Sequence, residues 1–403
     1  MDTGSYKFKT LCQKYEDFRG PAFDITVDGT KLESFRIPLT VDVEQCADGS
    51  AGGCHFQIEN LYDYEQSEWL NNLAKTLDVG AELKVEGGYV KKKLLFYGYV
   101  DEVSVRYSGS APPSISVSGV DGLCYLMSCR EPIYGGKLEP KKVVTGILEK
   151  AKSAGFATSI TVGNLPDFDS LDVKEKIDDF KYLRLLADRY CMNLMALNGE
   201  LIFDELLSNT KSLIQLTVGS GLLEFQKRVS LQNQVGEVEI RGTDVNNEQI
   251  KGTASTVSIR GTGKTAAQAA PKFKKTLLRE ENAYVRTVDE CKKVAQAKLD
   301  RLALNYVSGS GLCLGLPELI PGRFITIEGL DGDTVGDYFI TKVRHQFGSG
   351  GYLTQFEVKG AKDCREHCGG ISGCAELGGL LSGAADGARG AGPGRGHECQ
   401  RPG

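Results

Sequence analysis

The stretch between Gly309 and Val358 decides the fold class of this chain. Residues 309–330 read G-S-G-L-C-L-G-L-P-E-L-I-P-G-R-F-I-T-I-E-G-L, residues 336–347 read G-D-Y-F-I-T-K-V-R-H-Q-F, and residues 351–358 read G-Y-L-T-Q-F-E-V. Apolar residues alternate with polar or small ones in each run, and this period of two predicts strands with one buried face. Pro317 and Pro321 mark corners, because proline cannot lie in a central strand. The stretch therefore predicts an antiparallel barrel or sandwich, and nothing in it is typical of a catalytic site.

The composition is that of an ordinary globular chain. Its 403 residues are 41% hydrophobic and 25% charged, which predicts two or three domains with ample core. A net charge of −5 gives no basic surface for nucleic acid. No apolar run approaches the roughly 18 residues of a membrane span, and the N-terminus lacks the apolar segment of a signal peptide.

We therefore expect synthesis in a reducing cytoplasm, where the twelve cysteines are mostly buried thiols. A disulfide between Cys46 and Cys54, which flank a short polar loop, is the disfavoured alternative.

The first 128 residues are predicted to form a many-stranded antiparallel domain. Asp28-Gly29 between two alternating runs is a strong hairpin signal. Further alternating runs predict strands at 35–43, 56–58, 82–85, 94–100, 103–107 and 115–120.

Residues 129–215 are predicted to form a small α+β insert. Pro140 suits a helix start, and apolar residues follow it at helical spacing as far as Ala151. Asp178 and Asp179 precede a second amphipathic helix, where their charge favours its N-terminal end, and Asn198-Gly199 predicts a hairpin.

Strand periodicity returns in residues 216–360, which are predicted to form a second barrel. Val238 and Ile240 lie in its predicted first strand, Thr287 opens a helix through a capping box, and 261–275 is predicted to be a flexible surface loop. Residues 361–403 are rich in Gly and Ala and are predicted to be a flexible tail. The predicted fold class is mainly β within α+β: two antiparallel barrel-like domains flank a small α+β insert, and a disordered tail follows.

Two stretches invite a catalytic or nucleotide-binding interpretation. Gly261-Thr262-Gly263-Lys264-Thr265 is similar to the end of a phosphate-binding loop, but Ser258 stands where the first glycine of that motif belongs, so a flexible linker is favoured. His345 lies inside a predicted strand, where a structural role is favoured over a catalytic one.

The sequence also contains candidate metal ligands and pairs of adjacent carboxylates. Five residues of the C-terminal region offer zinc-ligand chemistry, but their spacing does not match paired zinc knuckles and incidental thiols are favoured: Cys364, His367, Cys368, Cys374 and Cys399. The carboxylate pairs Asp178/Asp179 and Glu280/Glu281 are predicted to lie at helix starts in capping or solvated roles. The sequence predicts no catalytic, cofactor-binding or metal site, and we do not expect an enzyme.

The order of these elements resembles the phage late control gene D family, which includes hub proteins of contractile phage tails and the N-terminal part of VgrG spikes. The stretches that carry the resemblance are Gly119 to Met127, Lys141 to Lys150, Asp178 to Ala187, Leu201 to Phe203, Val238 to Gly242, and the opening stretch with Gly315, Pro317, Pro321-Gly322, Gly336-Asp337-Tyr338 and His345. The resemblance covers residues 20–360. Nothing after residue 360 is similar to the spike part of VgrG, so a separate spike protein is implied.

The resemblance implies a structural role. Three copies would form a ring of six barrel-like units that joins a sixfold tail tube to a threefold spike. The implied partners are two further copies of the chain, the central spike, the tube or tube-initiator protein and the baseplate wedge, with DNA or cargo passing through the lumen and no direct membrane insertion. The implied location is the cytoplasm of the producing bacterium and then the particle baseplate. A tail-associated cell-wall hydrolase and a carrier of secreted effector cargo remain the alternatives.

Overall fold

The computed structural model describes residues 4–32, 39–59, 61–70, 73–133, 139–165, 174, 176–207, 209–283, 285–330, 332 and 334–364. Strands dominate the described residues: β1 (Tyr6–Lys7), β2 (Ala22–Val27), β3 (Thr30–Leu32), β4 (Leu39–Cys46), β5 (Gly53–Glu59), β6 (Tyr62–Asp63), β7 (Glu68–Trp69), β8 (Glu82–Gly88), β9 (Lys92–Arg106), β10 (Ser114–Val120), β11 (Ser159–Val162), β12 (Met192–Leu197), β13 (Glu200–Glu205), β14 (Ser212–Val218), β15 (Gly221–Val229), β16 (Glu237–Thr243), β17 (Gln249–Ala254), β18 (Leu277–Glu281), β19 (Val307–Leu314), β20 (Phe324–Glu328), β21 (Gly336–Gly348) and β22 (Gly351–Gly360).

The α-helices of the described residues are fewer than the strands. They are α1 (Phe8–Lys14), α2 (Leu73–Thr76), α3 (Gly122–Ser128), α4 (Pro140–Ser153), α5 (Asp179–Tyr190), α6 (Ala266–Ala269) and α7 (Val288–Ala303). This balance confirms the prediction of a mainly β chain.

One large sheet joins strands from both ends of the chain. Its order is β1-β14-β15-β19-β22-β21-β4-β5-β10-β9-β8-β2-β3, and β20 bridges β14 and β21. That bridge closes β14, β15, β19, β22, β21 and β20 into a six-stranded barrel. The strands β4, β5, β10, β9, β8, β2 and β3 form the other, barrel-like half.

The predicted strand periodicity accounts for the core of this sheet. Along β21, the side chains of Val343, His345 and Phe347 are buried, whereas those of Lys342 and Arg344 between them are partly exposed. The same alternation in β4, β5, β10 and β22 gives one continuous apolar core beneath both halves. The predicted hairpin at Asp28-Gly29 is present between β2 and β3, with both turn residues at positive φ.

The α+β insert has a core of its own. The strands β11, β13 and β12 form a three-stranded sheet, and α3, α4 and α5 pack around it. The predicted cap is present, because the Asp178 carboxylate accepts a hydrogen bond from the Lys181 amide at 2.8 Å. The predicted Asn198-Gly199 turn connects β12 to β13, again with positive φ at both residues.

The strands around residue 240 do not belong to the second barrel. The strands β17, β16 and β18 form a separate three-stranded sheet, and α7 covers it with a small core that includes Val238, Ile240, Cys291 and Leu299. The predicted capping box of α7 is present at Thr287 and Glu290. The interpretation of residues 238–242 as the first barrel strand is therefore wrong, because alternation identifies a strand but not the sheet that it joins.

The segment 261–275 is also more ordered in its local structure than expected. A capping box between Thr265 and Gln268 starts α6, and a 3-10 helix follows at Pro271–Lys275. Within the predicted tail, the backbone of Asp363 forms two hydrogen bonds with the backbone of Lys264, and Ala361 is buried. The rest of that tail, from residue 365 on, lies outside the described residues, as do the strand positions Phe35 and Ile37. The domain limits at 128, 215 and 360 stay a prediction, and the limit at 215 falls inside β14.

Candidate assembly surface

The two halves of the main sheet meet at one joint, which we call the seam: the antiparallel pairing of β4 with β21. Its register runs from Lys342 opposite Cys46 to Phe347 opposite Val41. These strands lie about 300 residues apart in the chain, so the seam makes one sheet out of the two halves.

The inner side of the seam is apolar and includes one histidine. Val43 and Val343 are fully buried, and His345 lies opposite Val43 in the register. The Nδ1 atom of His345 lies 2.9 Å from the Tyr352 hydroxyl and 3.1 Å from the Thr354 hydroxyl. Burial lowers the pKa of His345 to about 3, so this side chain is neutral at physiological pH. This geometry agrees with the predicted structural role for His345.

The outer side of the seam is charged. Arg344 donates to the Asp42 carboxylate at 2.9 Å, and Lys342 pairs with Glu44 at 2.8 Å. The hydrogen bond from Lys342 to Glu44 raises the pKa of that lysine. Each ion pair is diagonal across the register, since Arg344 stands directly opposite Glu44. Both pairs are partly exposed, so they set the register more than they stabilise the fold.

This outer side continues into a wide polar surface, which we call the polar face. It is the uncovered side of β15, β19, β22, β21, β4, β5, β10 and β9, opposite the apolar core. A groove of about 490 Å³ runs along it over the seam, lined by both acidic and basic side chains, among them Glu44, Glu224, Lys342, Arg344 and Glu357. A mixed-charge, open groove of this kind suits weak contact more than tight binding of an apolar ligand.

The two halves repeat one strand order. The first half reads β4-β5-β10-β9-β8 and the second reads β15-β19-β22-β21-β20, with every neighbouring pair antiparallel. When the five strands of each half are numbered by their order along the chain, their order across the sheet is 1-2-5-4-3 in both halves. Each half also carries a bulge at the same place, with Asp101 as the extra residue in β9 and Thr341 as the extra residue in β21. The chain therefore contains two equivalent units.

The other sequence candidates lie apart from this surface. The backbone of Lys264 pairs with Asp363, and Thr265 caps α6, so the Gly261–Thr265 stretch forms a local structural contact. Asp178 caps α5, and Asp179 pairs with the buried Lys174. Glu280 and Glu281 are in β18 and not at a helix start, and Glu280 pairs with Lys298 at 3.2 Å.

The cysteines show no pairing in the described part of the chain. Cys46 and Cys54 are both buried free thiols, and burial raises the pKa of Cys46 to about 12. Cys364 contacts the Thr262 hydroxyl. His367, Cys368, Cys374 and Cys399 lie outside the described residues, so the predicted absence of a zinc site there stays untested. Among the described residues, no group of three or more His, Cys, Asp or Glu side chains is placed to hold a metal ion.

Sequence reasoning missed the charged residues of the seam. The signal was present as two short alternating runs, Asp42-Val43-Glu44 and Lys342-Val343-Arg344, with opposite charge at their exposed positions. Only the register of β4 against β21 shows that these runs are partners.

Comparison with solved structures shows a fold shared with phage tail proteins. The 43 kDa tail protein of prophage MuSo2 from Shewanella oneidensis is 14% identical, with a TM-score of 0.62 over 84% of this chain and 98% of that one. The tail protein from Neisseria meningitidis MC58 is 12% identical, with a TM-score of 0.61 over 85% and 97%. A prophage tail protein from Listeria monocytogenes EGD-e is 10% identical, with a TM-score of 0.51 over 84% and 94%.

No curated protein matches the sequence. In the described part of the chain, no helix is both long and apolar enough to cross a membrane. A family model described as the Alg8 N-terminal domain matches residues 21–349, a different family from the one that the sequence motifs resemble. Because this match spans most of its length, the chain belongs to the Alg8 N-terminal domain family.

Proposed function

We propose that this chain is a structural component of a phage tail or phage-tail-like injection particle, and that it acts there as the baseplate hub. The observation that carries the proposal is the repeated strand order of its two halves. Two equivalent units in one chain allow three chains to present six similar units, which is the arrangement needed between a sixfold tube and a threefold spike. The fold shared with tail proteins from Shewanella oneidensis and Neisseria meningitidis supports the same role.

The polar face supports a channel in such a ring. Its opposite side carries the apolar core, so the polar face is the side left free to meet water. The groove along the seam carries side chains of both signs of charge together with the apolar side chains of Phe225, Leu312 and Phe356. Such a wall would allow DNA or protein cargo to pass without binding it firmly.

The proposed partners follow from this placement. Two further copies complete the ring, the tube or its initiator lies on one side, the central spike lies on the other, and baseplate wedge proteins surround it. The ring would assemble in the cytoplasm of the producing bacterium and end in the particle baseplate. In this role the chain is structural, and we expect no clearing of cell-wall substrate in a gel assay of the purified protein.

Light scattering coupled to size-exclusion chromatography tests the proposal. At micromolar concentration the protein should elute with three times the 43.7 kDa mass of one chain, and negative-stain images should show rings with a central channel. A stable monomer at that concentration would contradict the hub role.

A further inference from the structure

We propose that β9 of one copy pairs with β15 of the next copy, repeating between chains the seam that β21 and β4 form within one chain. This inference rests on the proposed ring and names the contact that builds it.

The repeated strand order identifies the partners. In the two halves, β21 holds the same position as β9, and β4 holds the same position as β15. Because β21 pairs with β4 inside the chain, the equivalent joint would pair β9 with β15. These two strands lie at opposite ends of the polar face, so one chain cannot close that joint by itself.

Both strands have an open edge at the required place. β9 is paired with β8 only up to Tyr99, and Val100 still bonds to Gly80 and Ala81. Beyond that point no described strand lies beside residues 101–106 on that side. β15 is paired with β14 only at Gly221 and Leu222, so no described strand pairs with that edge of β15 beyond Leu222. An open strand edge is a ready template for pairing with another chain.

The registers give the residue pairs. With the two bulges aligned, Glu102, Ser104 and Arg106 are equivalent to Lys342, Arg344 and Gln346. The pairings through β5 and β19 make Glu224, Gln226 and Arg228 equivalent to Thr40, Asp42 and Glu44. All six side chains on β9 and β15 are exposed.

Charge complementarity follows from this register. At the seam, Lys342 pairs diagonally with Glu44. At the equivalent diagonal, Glu102 of one copy meets Arg228 of the next, with the signs exchanged. Arg106 likewise meets Glu224 two diagonals further along the same edge, beyond Ser104 and Gln226. Two ion pairs between opposite charges would fix the register of such a strand-to-strand contact.

The apolar side chains support the same contact. Val105 is 43% exposed and Tyr107 is 59% exposed. Their equivalents at the seam, His345 and Phe347, are 0% and 4% exposed. A strand from the next copy would cover this exposed apolar surface, as β4 covers that of β21. The partner is therefore a second copy of this chain, bound through a contact whose two sides differ, as a closed ring requires.

Charge exchange on the full chain tests the inference. Glu102→Arg places like charges against Arg228, and Arg228→Glu does the same against Glu102, so each single variant should fall from trimer to monomer in light scattering. The double variant Glu102→Arg with Arg228→Glu should regain the trimer. Lys141→Glu, on the exposed side of α4, is the matched charge control and should leave the mass unchanged. Circular dichroism should show the same fold for all variants, because all these side chains are exposed.

The outcomes separate the inference from the proposed function. A wild-type trimer that survives both single exchanges overturns the β9–β15 contact and leaves the hub role standing. Single variants that dissociate without rescue in the double variant also overturn the proposed register. A wild-type monomer at micromolar concentration overturns the hub role and this contact together.

Discussion

The two halves of the main sheet share a strand order but differ at their equivalent joints. At the seam, Val343 and His345 are fully buried beneath β4. At the place on β9 equivalent to His345, Val105 is 43% exposed: it pairs with Ile115 of β10 on one edge and has no described strand on the other. The same strand position is therefore buried where a second strand pairs with that edge and exposed where none of the described strands does, and an exposed apolar side chain on an open strand edge is typical of an interaction surface.

The largest expected effect comes from a charged side chain placed in the buried side of the seam. Val343→Asp buries a carboxylate without a partner, so we expect the free energy of unfolding to fall by about 4 kcal/mol in urea denaturation. Val105→Asp places the same charge on the open edge of β9, at the position equivalent to His345. It should change the free energy of unfolding of the monomer by less than about 0.5 kcal/mol, yet abolish the trimer in light scattering. An equal loss in the free energy of unfolding for the two variants would contradict the distinction between the seam and the open edge of β9.

The buried histidine of the seam predicts that the free energy of unfolding depends on pH, an effect that the open edges of β9 and β15 do not contribute. Burial holds the folded pKa of His345 near 3, while the unfolded chain takes up a proton around pH 6.5. The unfolded state therefore binds more protons between these values, so stability is lost as pH falls below 6.5, by up to about 1.4 kcal/mol per pH unit. His345→Gln should reduce this slope in urea titrations between pH 6.5 and 4.5. An unchanged slope would show that other groups cause it.

The smallest expected effect concerns the outer ion pairs of the seam. Arg344→Gln removes the contact with Asp42, whose side chain is 31% exposed while that of Arg344 is 43% exposed. Solvent screens such a pair, so we expect a loss of about 0.5 kcal/mol, smaller still at high salt. A double-mutant cycle with Asp42→Asn measures the coupling energy. A coupling of several kcal/mol would mean that the pair contributes to stability and not mainly to register.

Local patterns predicted the elements of this fold well. Period-two alternation found the strands of the main sheet, Asp28-Gly29 and Asn198-Gly199 marked real hairpins, and Asp178 marked a helix cap. These features depend on residues close together in the chain, so the sequence displays them directly. The capping box at Thr265 was also visible as a Thr followed three residues later by a Gln, but the small residues around it favoured a loop.

What could not be predicted depends on contacts between distant residues. Val238 and Ile240 alternate like any barrel strand, and nothing in their sequence says that they pair with β17 and β18 instead. The same holds for the assembly surface. The charges of Glu102 and Arg106 acquire a meaning only when the register of β4 against β21 is known and transferred to β9 and β15.

Hydrogen–deuterium exchange of the backbone amides tests the central claim most directly. The claim is that β9 and β15 form between copies the joint that β21 and β4 form within one. In the assembled wild-type protein, peptides covering 101–106 and 224–229 should exchange as slowly as those of β4 and β21. In the monomeric Glu102→Arg variant, the amides of 101–106 and 224–229 should exchange rapidly, whereas those of β4 and β21 should still exchange slowly. Rapid exchange of 101–106 and 224–229 in the assembled protein would contradict the account.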